Sequence, residues 1–302
     1  MKILLLGKNG QVGWELQRSL APLGQLVALD REGKNGLCGD LTDLKRLHLT
    51  IEKVRPDVIV NAAAYTAVDR AESEAAKALR INHAAPKFLA EAMQRLNGWL
   101  VHYSTDYVFD GSGEKPWREN DATGPLSIYG KSKLLGEQAI QATGCKHLIF
   151  RTSWVYGAHG NNFAKTMLRL AGERDHLKVI DDQIGAPTGA DLLADITAHA
   201  LHRAVSVPDL AGLYHLTSAG ETSWFEYARF IVSSALDHGI KLKVQDISPI
   251  GTVEYKTSAQ RPRNSRLATE KLANNFGLHL PPWQEGITRL LKEVNGYRND
   301  AT

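Results

Sequence analysis

Residues 2–20 read KILLLGKNGQVGWELQRSL. The unbroken apolar run from Ile3 to Leu6 fits a strand covered on both faces, and Val12, Leu16 and Leu20 then recur at helical spacing. Between them, glycines stand at positions 7, 10 and 13. In the order strand, glycine turn, helix, the turn lets backbone N–H groups approach a pyrophosphate while the helix amino terminus supplies partial positive charge. A turn that merely packs a helix on a strand is the plainer reading of the same glycines. The spacing is G-x-x-G-x-x-G rather than the commoner G-x-G-x-x-G.

Outward from this unit the alternation continues. A second strand, Leu26 to Leu29, ends at Asp30, where a carboxylate can accept hydrogen bonds from the adenosine ribose of a dinucleotide. Arg31 beside it can pair with a 2′-phosphate, so NADH and NADPH are both expected to serve. LTDLKRLHLTIEKV (41–54) has helical spacing at Leu44, Leu47 and Ile51, and the strand 57–60 follows Arg-Pro. A helical run covers Ala71 to Leu96, with a kink expected at Pro86. Strands WLVHYS (99–104), HLIFRTS (147–153) and LKVI (177–180) come next. Past about Thr217 the pattern decays into helices, Trp224–Leu236 and Trp283–Val294. The pattern predicts an α/β fold: a doubly wound, mostly parallel sheet with a smaller carboxyl-terminal lobe over its carboxyl edge. The expected division gives 1–152 and about 177–217 to dinucleotide binding, and about 153–176 and 218–302 to the substrate lobe.

Composition narrows the class. The 302 residues are 43% hydrophobic and 23% charged, enough apolar content for a substantial core. Thirty-six basic against 33 acidic residues, with no long run of one sign, give no case for nucleic acid. Cys38 and Cys145 are too few for a disulfide framework and lack metal-ligand spacing, which suits a reducing compartment. MKILLLG reads as a buried strand rather than a signal peptide, and no stretch approaches the roughly 20 apolar residues of a membrane helix. A soluble, cytoplasmic protein is the expectation.

SIYGKSKLLGEQA (127–139) puts Tyr129 and Lys133 four residues apart, on one face of a helix. Taken alone, such a pair is more simply a solvated face. Paired with chemistry, an ammonium beside the phenol would lower its pKa and suit it to give a proton to a carbonyl oxygen as hydride arrives. The odds turn on HYSTDYVFDG (102–111), which puts Ser104 and Thr105 at the carboxyl end of a strand, where a hydroxyl can bond the same carbonyl oxygen. GDL (39–41) and NAAAYT (61–66) end further strands or loops. They can line the two riboses, although small residues there also simply permit close packing.

These motifs carry a resemblance. GKNGQVGWEL, RPDVIVNAAAYTAVDRAESE, STDYVFDG, YGKSKLLGE, RTSWVYG, NNFAKTML, DDQIGAPTGADLLAD and RPRNSRL are similar, over essentially the whole chain, to the dTDP-4-dehydrorhamnose reductases among the extended short-chain dehydrogenases/reductases. The resemblance implies a Rossmann-type fold and reduction of the C4 ketone of dTDP-4-dehydro-L-rhamnose, with NADPH or NADH as cofactor. It places Thr105, Tyr129 and Lys133 on the family's catalytic positions. Gly7, Gly10, Gln11, Val12, Asp30, Arg31, Asp40, Leu41, Ala64, Tyr65 and Thr66, with Tyr129 and Lys133, fall at the cofactor; Tyr65 stands where relatives often have histidine. Ser104, Thr105, Trp154, Asn162 and Arg261 become substrate contacts, Trp154 on the sugar and the last two toward the diphosphate, although an indole at 154 could equally be core. It also implies a homodimer with Mg²⁺ between subunits, held by Glu15, Asp191 and Glu293; each is more simply a surface acid.

Two other readings compete. A nucleotide-sugar epimerase or dehydratase shares the fold, but a dehydratase needs an Asp-Glu pair after the threonine, and here Tyr107 follows Asp106. A cofactor-binding regulatory subunit needs no catalytic hydroxyls, and these are present.

Overall fold

The computed structural model describes residues 1–299, with side chains through Val294. In chain order the principal strands are β1 (Lys2–Leu6), β2 (Gln25–Leu29), β3 (Val58–Asn61), β4 (Trp99–Thr105), β5 (Lys146–Thr152), β6 (His176–Ile180), β7 (Gly212–His215) and β8 (Asp246–Ile250). The principal helices are α1 (Gln11–Leu20), α2 (Leu44–Val54), α3 (Ala85–Arg95), α4 (Ile128–Ala142), α5 (Phe163–Glu173), α6 (Ala190–Ser206), α7 (Trp224–Asp237), α8 (Glu270–Phe276) and α9 (Trp283–Asn299). Six strands form one sheet in the order β7-β5-β4-β3-β1-β2, every neighbouring pair parallel. The doubly wound Rossmann-type expectation holds. The order reverses between β1 and β3, and sheets of this kind bind ligands beyond the carboxyl ends of the strands there.

The apolar run in β1 is continuous because both its faces are covered. Ile3 and Leu5 join Leu16 and Leu20 of α1 and Leu193 and Leu201 of α6 on one side. Leu4 and Leu6 join Leu47 and Ile51 of α2 and Leu89 and Met93 of α3 on the other. Each such leucine contributes about 1.5–3 kcal/mol by leaving water. Gly7 then turns the chain at φ 87°, and a Cβ there would lie 2.7 Å from the Ala63 nitrogen. A Cβ on Gly13 would strike the Gly7 carbonyl, so α1 sits closer to the turn than any side chain permits.

The helical run 71–96 is broken more than the sequence suggests. Short helices Val68–Ala71 and Ala75–Leu79 lead into a π turn, Arg80–Ala84, before α3 begins with Pro86 in its first turn. Proline lacks the N–H that would close the preceding turn, and the wider turn accommodates this.

Strand β6, expected with the dinucleotide-binding part, pairs with β8 in a separate two-stranded sheet. Its residues alternate exposed and buried, the pattern of a strand covered on one face. Around this pair, α5, α7 and α9 enclose a second core of Tyr156, Met167, Tyr227, Ile231, Trp283 and Leu291. Among the described residues no helix is long and apolar enough to cross a membrane.

Candidate active site

The turn after β1 forms a cradle. Gly10 precedes α1 in extended conformation, and no side chain caps the helix, so its first N–H groups are left for a ligand. Asp30, just past β2, accepts hydrogen bonds from the Gly33 N–H (2.9 Å) and Asn9 Nδ2 (3.2 Å) and pairs with Lys8 Nζ (3.1 Å). The Gly33 amide, with Lys8 behind it, holds the carboxyl below its usual range. Lys8 is a cation inside the glycine turn that the motif reading passed over. Arg31 is exposed, with no ion pair among the described residues. Asp40 Oδ1 accepts from the Thr42 N–H and hydroxyl, both at 2.8 Å, and Leu41 is buried. Ala64 and Thr66 are exposed in the loop after β3. Tyr65 between them is buried, with its hydroxyl on Glu74 Oε2 (3.0 Å) and its backbone N–H and carbonyl bonded to Asn82.

Thr105 ends β4 and Tyr129 lies in the first turn of α4, which Ser127 caps by accepting from the Gly130 N–H. The Thr105 hydroxyl donates to Asp106 Oδ1 (3.0 Å) and lies near the Tyr129 phenol. The Tyr129 ring meets Tyr107 edge-on, with centroids 5.5 Å apart. Burial pushes the phenol up to about 12, with Thr105 opposing. This corrects the expected electrostatics. Lys133 Nζ donates to the Tyr103 carbonyl (2.6 Å) and sits 3.1 Å from His102 Nε2, and its charge does not pull the phenol down. Burial lowers Lys133 itself to about 8, with Glu137 opposing.

Asp106 was read only as half of a missing carboxylate pair. It is 2% exposed, its Oδ2 has no hydrogen-bond partner, and burial raises it to about 6, with Ser265 and Thr105 opposing. Ser104 Oγ beside it is likewise buried and unpartnered. Strongly shifted carboxyls cluster at functional sites, and this one lies beside two hydroxyls. Nothing in the letters STD distinguishes it from a surface acid.

The substrate candidates divide. Trp154, at φ 49°, stacks on Trp224 with centroids 3.6 Å apart and belongs to the aromatic rim of the second core. Asn162 caps α5 through the Lys165 N–H, and its Nδ2 donates to Gln11 Oε1 (2.9 Å) and to the Gly157 carbonyl (2.7 Å). Both its side-chain amide hydrogens are therefore engaged within the protein. Arg261 holds Asp69 through both terminal nitrogens, at 3.2 and 2.6 Å.

Glu15, Asp191 and Glu293 do converge, around a cavity of about 50 Å³ that Tyr156 and Arg289 also line. The Arg289 guanidinium pairs with Asp191 (3.3 Å) and Glu293 (3.1 Å), while Glu15 faces Arg18 (3.8 Å). Burial and then Asp191 raise the Glu15 carboxyl. A hard cation needs oxygens free to converge on it. Here a guanidinium already supplies the positive charge, and among the described residues no group of three His, Cys, Asp or Glu side chains is arranged to hold a metal. Within one chain, then, Arg289 rather than a metal balances these carboxylates.

A family model described as RmlD substrate binding domain matches residues 1–295. The dTDP-4-dehydrorhamnose reductase of Salmonella typhimurium is 56% identical over 294 residues, covering 97% of this chain and 98% of that protein. The Escherichia coli K12 protein of the same name is 55% identical, with the same coverage. Among solved structures, a Bacillus anthracis dTDP-4-dehydrorhamnose reductase in complex with NADP superposes with a TM-score of 0.86 at 37% identity, covering 97% of this chain and 99% of that one.

Proposed function

The chain belongs to the RmlD substrate binding domain family and performs NAD(P)H-dependent reduction in dTDP-rhamnose synthesis, and from that premise we propose that Tyr129 delivers the proton to the C4 ketone oxygen of dTDP-4-dehydro-L-rhamnose. The observation that carries this reading is that the Thr105 hydroxyl at the end of β4 and the Tyr129 phenol in the first turn of α4 lie near each other at the carboxyl edge of the sheet, with β4 beside β3. The reduced nicotinamide, when bound, supplies the hydride. Gly7 and Gly10 keep the cradle free of side chains, the α1 amino terminus takes the pyrophosphate, and Asp30 with Lys8 takes the adenosine ribose. Thr105 orients the ketone oxygen. With its pKa near 12 the phenol is fully protonated at neutral pH, as a donor must be.

A two-lobed, homodimeric, cytoplasmic enzyme is part of the same proposal. The lobe division at about 153–176 and 218–302 is supported by the separate second core, with β6 drawn to the substrate side by its pairing with β8. Buried, unpaired Cys38 and Cys145 suit a reducing compartment. Trp14, half-exposed and stacked on His159, supplies apolar surface beside Glu15 for a second copy.

Replacement of Tyr129 by phenylalanine tests the reading. NADPH binding should persist, while turnover of the dTDP-4-keto sugar, followed by cofactor absorbance, should fall by about 10²–10⁴-fold. Undiminished turnover would remove Tyr129 as donor. Stoichiometric NADPH consumption separates this chemistry from an epimerase, which regenerates its cofactor.

A further inference from the structure

The first turn of α4 carries Tyr129, and part of what holds that turn comes from outside the site described above. The N–H groups at a helix amino terminus have no partner within the helix. In α4, Ser127 Oγ accepts from the Gly130 N–H at 3.2 Å. The Ile128 N–H, one residue before Tyr129, donates to Glu72 Oε1 at 2.9 Å. A carboxylate is favoured at this end of a helix, and a hydrogen bond to an ionised acceptor is among the stronger ones. Gly130 meanwhile brings the turn against Tyr107, where a Cβ would strike the Tyr107 carbonyl. That contact sets how closely the turn can approach the end of β4, and a bond is needed to keep it there. Ser127 belongs to the same turn and moves with it. Glu72 does not.

Glu72 is itself anchored on both sides. It follows the short helix Val68–Ala71, whose Asp69 accepts the Ala259 N–H (3.1 Å) and holds Arg261 at 3.2 and 2.6 Å. The Ser73 and Glu74 N–H groups close back on the Arg70 carbonyl at 3.2 and 2.8 Å. Glu74 in turn accepts from the Tyr65 hydroxyl (3.0 Å) and from Arg70 Nη2 (2.6 Å). The backbone that carries Glu72 is therefore tied to the 259–261 segment at one end and to the loop after β3 at the other. We propose that Glu72 is a positioning residue for the proton donor: its carboxylate holds the first turn of α4 so that the Tyr129 phenol stays beside the Thr105 hydroxyl. It acts through the Ile128 backbone and moves no proton. Proton transfer requires the phenol within hydrogen-bond reach of the ketone oxygen, and a displacement of about 1 Å can cost about 100-fold in rate. Glu72 is exposed, so replacing it opens no cavity in the core.

The inference rests on Tyr129 being the donor, and its test compares Glu72 variants with and without the phenol. With NADPH and the dTDP-4-keto sugar, Glu72→Ala should lower kcat by about tenfold. The NADPH dissociation constant, read by fluorescence titration, should stay near that of wild type. Glu72→Gln keeps an oxygen that accepts the Ile128 N–H and should recover much of the lost turnover. In Tyr129→Phe enzyme no phenol remains to be positioned, so adding Glu72→Ala should slow the residual turnover by less than about twofold. An unchanged kcat in Glu72→Ala would overturn the proposal, as would a Glu72→Gln enzyme as slow as the alanine variant. An equal loss in both backgrounds would also overturn it, because that is what a merely structural role gives. Full turnover in Tyr129→Phe refutes the donor instead, and the role of Glu72 with it. The single variants tell the two failures apart.

Discussion

Replacing Asp106 by asparagine isolates the charge of the carboxyl beside Thr105. In the folded protein its pKa is about 6, against 3.8 ordinarily. The gap of about two units corresponds to about 3 kcal/mol, at about 1.4 kcal/mol per unit. Because the folded-state value is the higher one, the carboxyl favours the fold fully only below about pH 4, and that contribution is lost as pH rises through about 6. Asparagine has no such dependence. Urea unfolding of both proteins at about pH 4 and pH 7.5 should therefore show the variant gaining about 2.5 kcal/mol on wild type between the two pH values. Any fixed cost of the amide, such as weaker bonding to Thr105 Oγ1, cancels in that comparison. A difference that is flat with pH, or that moves against the variant as pH rises, would refute the raised carboxyl.

Glu137→Gln leaves the Arg151 guanidinium, 5% exposed and held at 2.6 Å, without its counter-charge, and should cost about 3–5 kcal/mol by denaturant unfolding. The double replacement of Glu137 and Arg151 by methionine should cost less than the single change. Gly13→Ala drives a methyl into the Gly7 carbonyl and should weaken NADPH binding in fluorescence titration by about tenfold or more. Steady-state rates should show NADH and NADPH both used, with kcat/KM values within about a thousandfold, since an ionised Asp30 lies among Lys8 and Arg31; a larger gap would overturn that reading of the pair.

The parts of this molecule legible from sequence are those whose causes are local. Ile3 to Leu20 specify strand, turn and helix within their own span, and Tyr129 and Lys133 share a face because helical spacing demands it. What Lys133 bonds was not legible, because its partners, the Tyr103 carbonyl and His102, come from a strand 30 residues upstream. The expected pull on the phenol failed for that reason: spacing gives proximity, and burial then decides where the charge goes. Likewise Asn162 meets Gln11 only through tertiary folding. The three acids of the expected metal site were identifiable by resemblance, but the guanidinium of Arg289 among them changes what the cluster can hold. Strand β6 was visible as a strand, yet its partner β8 lay in a stretch whose DISPI contains a proline and little alternation.

An all-parallel sheet also governs how the chain is made. No neighbouring pair among its six strands can close as a hairpin, so each adjacency waits for a crossover connection to be completed. The outer edge of β5 stays unpaired until Gly212–His215 leave the ribosome. During that interval the nascent protein carries an unpaired strand edge, the kind of surface that invites aggregation.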